Sequence, residues 1–239
     1  GIYLVMTLLE IFLLLAGGMP LFDACIHSFG SAGTGGFSNR NLSVGAYGNA
    51  YYELVIGVFM LLFGINFNLY YFLMIRRFRD VFHSEELRAY LGIVAAAVLA
   101  IAVDVAHLYD SFAVSLRHAF FQVSSIITTT GFATVDFNTW PTFSKGILMV
   151  LMFVGACAGS TGGGIKVARM LILGKTALSD MRKMLHPTAV SAVRFEGKPL
   201  ADQTVRSVHV FITVYLMVFT VSFLLLCLEG FDLITTFSA

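Results

Sequence analysis

Long apolar runs alternate with short polar stretches along the chain. A transmembrane helix needs about 20 mostly apolar residues to cross the hydrocarbon core. We predict a membrane span in each of five apolar runs, which are residues 2–16, 51–75, 89–109, 143–173 and 207–228. The first of these apolar segments is short, and the fourth is interrupted by the glycine-rich stretch "GACAGSTGGGIK".

Two further apolar segments, residues 20–33 and 112–127, are too short to cross a membrane. Each leads into a Thr/Gly stretch: the first run, "TGGFS" at residues 34–38, and the second run, "TTGFA" at residues 129–133. Such short segments predict re-entrant helices. Non-helical backbone at membrane depth is tolerated only where it is buried in protein or lines a wet cavity. We therefore predict that both runs lie in such a place.

The chain contains an internal repeat. Aligning Gly36-Phe37 with Gly131-Phe132 at an offset of 95 residues also matches Thr34 with Thr129. A third copy begins at residue 207. Repeats decide architecture, so the predicted fold class is an all-α integral membrane protein. It consists of repeated span, re-entrant pore helix, filter loop and span units, as in potassium channels, with one broken helix.

Composition supports a membrane protein. The chain is 58% hydrophobic and 12% charged, with a mean hydropathy of +0.84, whereas soluble domains are about 25% charged. No basic stripe interleaved with aromatic residues suggests nucleic-acid binding. Of 15 Lys and Arg residues, 12 fall in residues 76–88 and 166–206. Because cytoplasmic loops carry the Lys/Arg excess, we place these two stretches in the cytoplasm and the two runs towards the outer side.

The two runs have the composition of a cation filter. Potassium-channel filters replace the hydration shell of an ion with backbone carbonyls, and glycine adopts the alternating backbone conformations that this requires. Threonine adds a hydroxyl acceptor, and the following aromatic residue can wedge the loop against neighbouring helices. The C-terminal end of each short helix carries partial negative charge, which favours a cation. The predicted filter residues are Thr34, Gly35, Gly36, Phe37, Thr129, Thr130, Gly131 and Phe132, with K⁺ at Thr34, Gly35, Thr129 and Thr130. A glycine-rich surface turn is the alternative for either run, and the occurrence of two copies disfavours it.

Residues 155–164 contain five glycines, each of which costs about 1 kcal/mol in a helix interior. We predict an unwound middle between helical halves 143–154 and 165–173. A phosphate-binding P-loop needs Gly-Lys-Ser/Thr without interruption, but Ile165 separates Gly164 from Lys166. Close helix packing through small residues is the alternative.

The segments "FDACIHSFGSAGTGGFSNRN", "FFQVSSIITTTGFATVDFNTWP", "GACAGSTGGGIKVARMLIL" and "HPTAVSAVRFEGKPL" together resemble the TrkH/KtrB family of potassium uptake proteins, the TrkH branch most closely. The resemblance implies four such repeats in one polypeptide. It also implies an intramembrane gating loop below the filter, with Lys166 at its cytoplasmic mouth. The loop residues are Gly159, Ser160, Thr161, Gly162, Gly163, Gly164 and Lys166.

The same resemblance divides the chain and makes it an internal fragment of a longer protein. The implied parts are the second pore repeat (1–75), a cytoplasmic loop (76–88), the third pore repeat with its loop (89–173), a cytoplasmic linker (174–206) and the first span of the fourth repeat (207–239). It further implies a homodimer in a bacterial-type inner membrane. A cytoplasmic nucleotide-binding regulatory subunit of the TrkA type would dock on residues 76–88 and 166–206.

The predicted function is that of the ion-conducting subunit of a potassium uptake system that passes K⁺, or K⁺ and Na⁺, with Na⁺ or H⁺ coupling left open. No cofactor is expected. The alternative is a secondary transporter with a substrate site between broken helices. It predicts inverted repeats, whereas these repeats start on the same side. An enzyme is not expected, because the sequence has neither a His/Asp/Glu cluster at metal-ligand spacing nor a nucleophile paired with a base.

Overall fold

The computed structural model describes residues 1–185, 193–230 and 236–237. The regular secondary structure of these residues is almost entirely helical. The α-helices are α1 Ile2–Ala16, α2 Leu21–Ala32, α3 Ala50–Phe63, α4 Phe67–Met74, α5 Phe78–His83, α6 Glu85–Asp104, α7 Phe112–Ile127, α8 Thr142–Phe153, α9 Val167–Leu185 and α10 Asp202–Cys227. Short 3₁₀ turns occupy Ser43–Tyr47, Ala106–Leu108 and Phe137–Thr139. Residues 186–192, which are part of the predicted linker 174–206, and most of the chain end after residue 230 lie outside the described residues.

The chain divides into two compact units, residues 1–167 and 168–239. In the first unit α1 packs on α2 and α2 on α3, and in the same order α6 packs on α7 and α7 on α8. Contact between α3 and α7 joins the two sets. In the second unit, the short strands β1 Arg194–Phe195 and β2 Lys198–Pro199 form an antiparallel hairpin.

Polar residues at helix starts explain where several helices begin. The side chains of Asn49, Ser84 and Ser111 accept hydrogen bonds from backbone N–H groups in the first turns of α3, α6 and α7, respectively. Each bond satisfies a donor that has no partner within the helix, and such caps contribute about 1 kcal/mol. The helix boundaries therefore follow from local sequence.

The core of the first unit lies between α1, α2 and α3. It includes the fully buried Leu14, Ile56, Met60 and Phe63. A charge pair also links α3 and α7: Oε2 of the buried Glu53 lies 2.9 Å from Nε of Arg117, whose side chain is 33% exposed. Removing one member of such a pair leaves an uncompensated charge, so the pair ties the two repeats together.

The span predicted over residues 51–75 is not one continuous helix. The chain breaks after Phe63, and α3 and α4 meet at a bend of 92°. Gly64 lies so close to α6 that a Cβ there would be 2.5 Å from the Tyr90 hydroxyl. Asn66 then starts α4 by accepting the Asn68 N–H at 3.0 Å. The tight approach at Gly64 and the cap at Asn66 together favour a new helix over continuation of the old one.

Two helices are long and apolar enough to cross a membrane, namely α6 and α10, and α3 with α4 provide a third when counted as one bent span. This finding covers the described residues only. The shorter apolar helices α1, α7 and α8 have 15, 16 and 12 residues. The predicted second half of the interrupted span, residues 165–173, starts two residues too early: Ile165 and Lys166 are non-helical, and residues 167–173 belong to the longer α9.

Candidate functional site

Both Thr/Gly runs leave their helices through the same turn. Gly33, which follows α2, has φ −88° and ψ −2°, and Thr128, which follows α7, has φ −87° and ψ −2°. In each run the second residue after this position donates its N–H back to the helix at 2.9 Å: Gly35 to the Gly30 carbonyl, and Thr130 to the Ser125 carbonyl. The repeat found in the sequence is therefore also a repeat in backbone geometry.

The backbone then alternates in conformation, again identically in the two runs. Thr34 and Thr129 have positive φ, 51° and 57°, and so do Gly36 and Gly131, 62° and 88°, whereas the residue between them does not in either run. A non-glycine residue in this region costs of order 1–3 kcal/mol and persists only where its surroundings hold it. Alternation reorients successive peptide planes, which allows several carbonyls of one short segment to line a common space.

The two runs lie against each other. A Cβ added to Gly36 would overlap the carbonyl oxygen of Thr130, and it would lie 3.0 Å from the carbonyl carbon of Gly131. A Cβ on Gly131 would meet no atom within 4 Å. One glycine therefore packs against the neighbouring run, and the other faces open space.

The aromatic residues of the two runs behave differently. Phe132 is 1% exposed, and its ring lies 5.4 Å from the His27 ring and covers Gly30. It wedges the second run against α2, as predicted. Phe37 is 80% exposed among the described residues, so its predicted wedge role stays a prediction. Its ring folds back beside its own Gly35 instead of reaching a neighbouring helix.

Residues 155–164 are non-helical, as the five glycines predict. The neck of this glycine loop is closed by the Gly155 N–H, which donates to the Ile165 carbonyl at 2.8 Å. A Cβ on Gly155 would overlap the Gly163 carbonyl, so only glycine fits there. Gly159 and Gly164 have φ of 70° and 69°, in the left-handed region.

The glycine loop binds directly to the threonines of both runs. Thr34 Oγ1 shares its one hydrogen between the Gly33 carbonyl, at 2.8 Å, and the Thr161 carbonyl of the loop, at 3.2 Å. The Gly163 N–H donates to Thr129 Oγ1 at 2.7 Å. Since Thr34 and Thr129 occupy equivalent positions, the loop lies across the same end of both runs, where each leaves its pore helix.

A family model described as "Cation transport protein", TrkH, matches residues 90–239. This chain belongs to the TrkH family. The resemblance stated from the sequence is confirmed.

Individual TrkH-family proteins are similar in sequence to this chain over almost its whole length. Trk system potassium uptake protein TrkH of Salmonella typhimurium is 35% identical over 241 residues, which cover 100% of this chain and 50% of that protein. Trk system potassium uptake protein TrkG of Escherichia coli K12 is 39% identical over 225 residues, covering 92% and 46%. The chain thus spans about half the length of the curated relatives it matches.

A solved structure confirms the fold class. The crystal structure of the potassium transporter TrkH from Vibrio parahaemolyticus matches with a TM-score of 0.91 at 34% identity, over 99% of this chain and 52% of that one. With the apolar helices, this makes the chain a membrane protein of a cation transport family rather than an enzyme.

Further contacts hold the glycine loop of this TrkH-family chain in place. Lys166 Nζ donates to Ser160 Oγ at 3.3 Å and also to the Gly162 carbonyl. On the other side, the Ala158 N–H donates to Glu86 Oε1 at 2.5 Å. Glu86 is buried in the first turn of α6, so the loop is tied to the helix that follows residues 76–84.

The glycine loop also meets the bend between α3 and α4. The Cys157 N–H donates to the Gly64 carbonyl at 2.9 Å, and the Phe67 N–H donates to the Gly159 carbonyl at 3.3 Å. Inside a membrane each unsatisfied backbone group costs several kcal/mol. The two chain breaks thus satisfy each other, which explains how both are tolerated.

Sequence reasoning missed Glu86 and the break at Gly64. The signal for the break was present in "GINFN", where a glycine is followed by two polar residues inside an apolar run. Asn66, the first of these polar residues, is the N-cap of α4. For Glu86, a charged residue near a helix start gave no hint of a partner 72 residues away.

Proposed function

We propose that this chain forms part of the ion-conducting transmembrane subunit of a potassium uptake system. The two runs would line the pathway for K⁺, or for K⁺ and Na⁺, and the glycine loop would gate it. The observation that carries this proposal is the direct hydrogen bonding of the loop to both Thr34 and Thr129. The names of the curated relatives, which are potassium uptake proteins, support the choice of ion.

Backbone carbonyls and threonine oxygens of the two runs are the proposed ion ligands, with K⁺ at Thr34, Gly35, Thr129 and Thr130. Hard monovalent cations are bound by oxygen atoms that replace water. Support comes from the shared alternation of φ in the two runs, because this geometry recurs at equivalent positions despite its strain. The conformation favours a ligand-lined pathway over a surface turn.

The proposed gate is the second part of the glycine loop together with Lys166. Its residues are Gly159, Ser160, Thr161, Gly162, Gly163, Gly164 and Lys166. In the described arrangement its backbone occupies the end of the runs, so an ion could pass only after the loop moves. Each neutral hydrogen bond contributes about 0.5–1.5 kcal/mol net. Two such bonds to the threonines form a barrier that binding of a partner could overcome.

The other parts of the proposal concern the whole protein. Two runs do not close a ring of carbonyls, so conduction is proposed for the complete gene product. We further propose a homodimer in a bacterial-type inner membrane, with residues 76–88 and 166–206 on the cytoplasmic side. A TrkA-like nucleotide-binding regulatory subunit would dock on these basic stretches. Glu86 would then pass its effect to the loop, since it bonds Ala158 directly.

A coupled secondary transporter is the second candidate, because two broken helices meet in this chain, at Gly64–Asn66 and at residues 155–164. Transporter sites near the bilayer midplane are often built from discontinuous helices. The parallel order of the two repeats favours a pore. Transport that requires Na⁺ or H⁺ on the same side as K⁺ would favour the transporter.

The test is uptake of radioactive Rb⁺ into proteoliposomes containing the complete gene product. A gated pore predicts Rb⁺ entry driven by an imposed membrane potential alone, with Na⁺ competing weakly. Deleting residues 159–162 is expected to raise the flux, because the loop can no longer reach both threonines. Absence of potential-driven uptake by the unaltered protein, or unchanged flux in a folded deletion variant, would contradict the gated pore.

A further inference from the structure

A cluster of side chains gathers behind the first run, outside the proposed ion pathway. The Asp23 carboxylate lies in the first turn of α2 and is 5% exposed. It accepts hydrogen bonds from three side chains that follow the run: Asn39 Nδ2 at 2.6 Å, Arg40 Nη2 at 3.1 Å and the Tyr47 hydroxyl at 2.6 Å. One carboxylate thus holds the chain segment that leaves the first run.

One turn further along α2, His27 continues the cluster. Its ring is fully buried, and Nδ1 lies 2.7 Å from the Asp23 carbonyl. A carbonyl only accepts, so Nδ1 carries the hydrogen. Burial lowers the pKa of His27, and in the neutral ring Nε2 accepts from Ser38 Oγ, 3.0 Å away. Ser38 Oγ in turn accepts the Arg40 N–H at 3.1 Å.

The second run is held at equivalent positions by different chemistry. Gln122 corresponds to His27 at the 95-residue offset. Gln122 Nε2 donates to the Val135 carbonyl at 3.1 Å, and Ser125 Oγ donates to the Phe132 carbonyl at 2.6 Å. Neutral donors on α7 therefore hold the backbone of the second run, whereas a charged cluster on α2 holds the segment that follows the first run.

We propose that Asp23 and His27 are positioning residues that hold the carbonyls of the first run at the spacing needed to discriminate between cations. The inference rests on the proposed function. Thr34 has a strained positive φ, and such a conformation lasts only if neighbouring structure fixes it. Ligand geometry must be held to within about 0.5 Å by supporting contacts, and this cluster supplies them immediately after Phe37.

The charge on Asp23 matters to this role. The Tyr47 hydroxyl, with Asn39 and Arg40, holds the pKa of the Asp23 carboxyl below its usual value, despite an opposing effect of burial. The group is therefore ionised at neutral pH, and hydrogen bonds to an ionised acceptor are roughly twice as strong as neutral ones. An amide at this position would turn one acceptor into a donor that faces other donors.

The test is Asp23→Asn in the complete gene product, measured as the ratio of Rb⁺ to Na⁺ uptake in proteoliposomes, together with the apparent Tm. Asp110→Asn is the matched control, because Asp110 is an exposed acid on the same predicted side. We expect the ratio to fall about two- to thirtyfold in Asp23→Asn, the range for couplings of about 0.5–2 kcal/mol. The control should keep the ratio of the unaltered protein.

If the unaltered protein is selective and Asp23→Asn has the same Rb⁺ to Na⁺ ratio, the positioning role alone is overturned. An unaltered protein with no Rb⁺ uptake would overturn the proposed function and this inference with it. If Asp23→Asn fails to fold, two milder changes decide. Tyr47→Phe removes one donor, and Arg40→Gln removes the charge that Arg40→Lys retains. The positioning role is supported if the Rb⁺ to Na⁺ ratio falls in Tyr47→Phe and Arg40→Gln but stays near that of the unaltered protein in Arg40→Lys. An unchanged ratio in all three variants overturns it.

Discussion

Gly36 and Gly131 occupy equivalent positions, but replacing each with alanine should have different consequences. Both have positive φ, where an L-residue costs about 1–2 kcal/mol more than glycine. At Gly36 the new methyl group would also overlap the Thr130 carbonyl, and overpacking adds about 1–3 kcal/mol. Gly36→Ala should therefore cost about 2–5 kcal/mol, whereas Gly131→Ala should cost about 1–2 kcal/mol, because no atom lies within 4 Å of its Cβ position.

The assay is thermal denaturation of the two purified variants in detergent, which gives the apparent Tm of each. A difference of about 1–3 kcal/mol corresponds to about 2–12 °C at about 2–4 °C per kcal/mol. Gly36→Ala should have the lower Tm. Gly131→Ala should remain folded and still show a reduced Rb⁺ to Na⁺ uptake ratio, because its methyl group enters the open space beside Gly131, which we propose belongs to the ion pathway.

Equal Tm values for the two variants would refute the packing of the first run against Thr130. A normal uptake ratio in folded Gly131→Ala would refute the claim that the open space beside Gly131 is the ion pathway. The two readouts are independent, since the first concerns packing between the runs and the second concerns what passes them.

Three further outcomes are expected. Burial lowers the pKa of His27, so the stability contributed by its neutral ring is complete above the ordinary histidine pKa of about 6.5 and is lost as pH falls below it. The fall in Tm between about pH 7.5 and 5.5 should therefore be smaller in His27→Gln than in the unaltered protein. Equal changes of Tm with pH in the two proteins would contradict this. Glu86→Ala removes the acceptor for the Ala158 N–H and should raise Rb⁺ flux without changing the Rb⁺ to Na⁺ ratio; unchanged flux would show that the bond does not restrain the glycine loop. Asn66→Ala removes the cap of α4 and should lower stability by about 1 kcal/mol, measured as Tm, whereas Asn66→Asp should keep most of it.

The features with a local cause could be predicted from sequence. The limits of α2 and α7 follow from short apolar segments that end at Gly33 and Thr128. The non-helical loop at residues 155–164 follows from its glycines, whose cost in a helix is additive. The offset between the Gly-Phe pairs predicted a structural repeat, and the φ angles of Thr34 and Thr129 reproduce it.

The features that depend on distant partners could not be predicted. At Gly64 the local pattern "GINFN" signals a break, but the partners that hold this break, the Tyr90 hydroxyl and the hydrogen bonds to the glycine loop, are not visible in that pattern. Phe37 and Phe132 are the same residue at equivalent positions, yet among the described residues only Phe132 reaches a neighbouring helix. Likewise, nothing around Asp23 indicates that Tyr47, 24 residues later, donates to it.

The most direct test of the central claim is anomalous diffraction from crystals of the complete gene product grown in Rb⁺. We predict an anomalous peak between the two runs, coordinated by oxygen atoms of Thr34, Gly35, Thr129 and Thr130. A peak confined to the bend at Gly64–Asn66, or clear density for the runs with no Rb⁺ between them, would contradict the assignment of the Thr/Gly runs as the cation site.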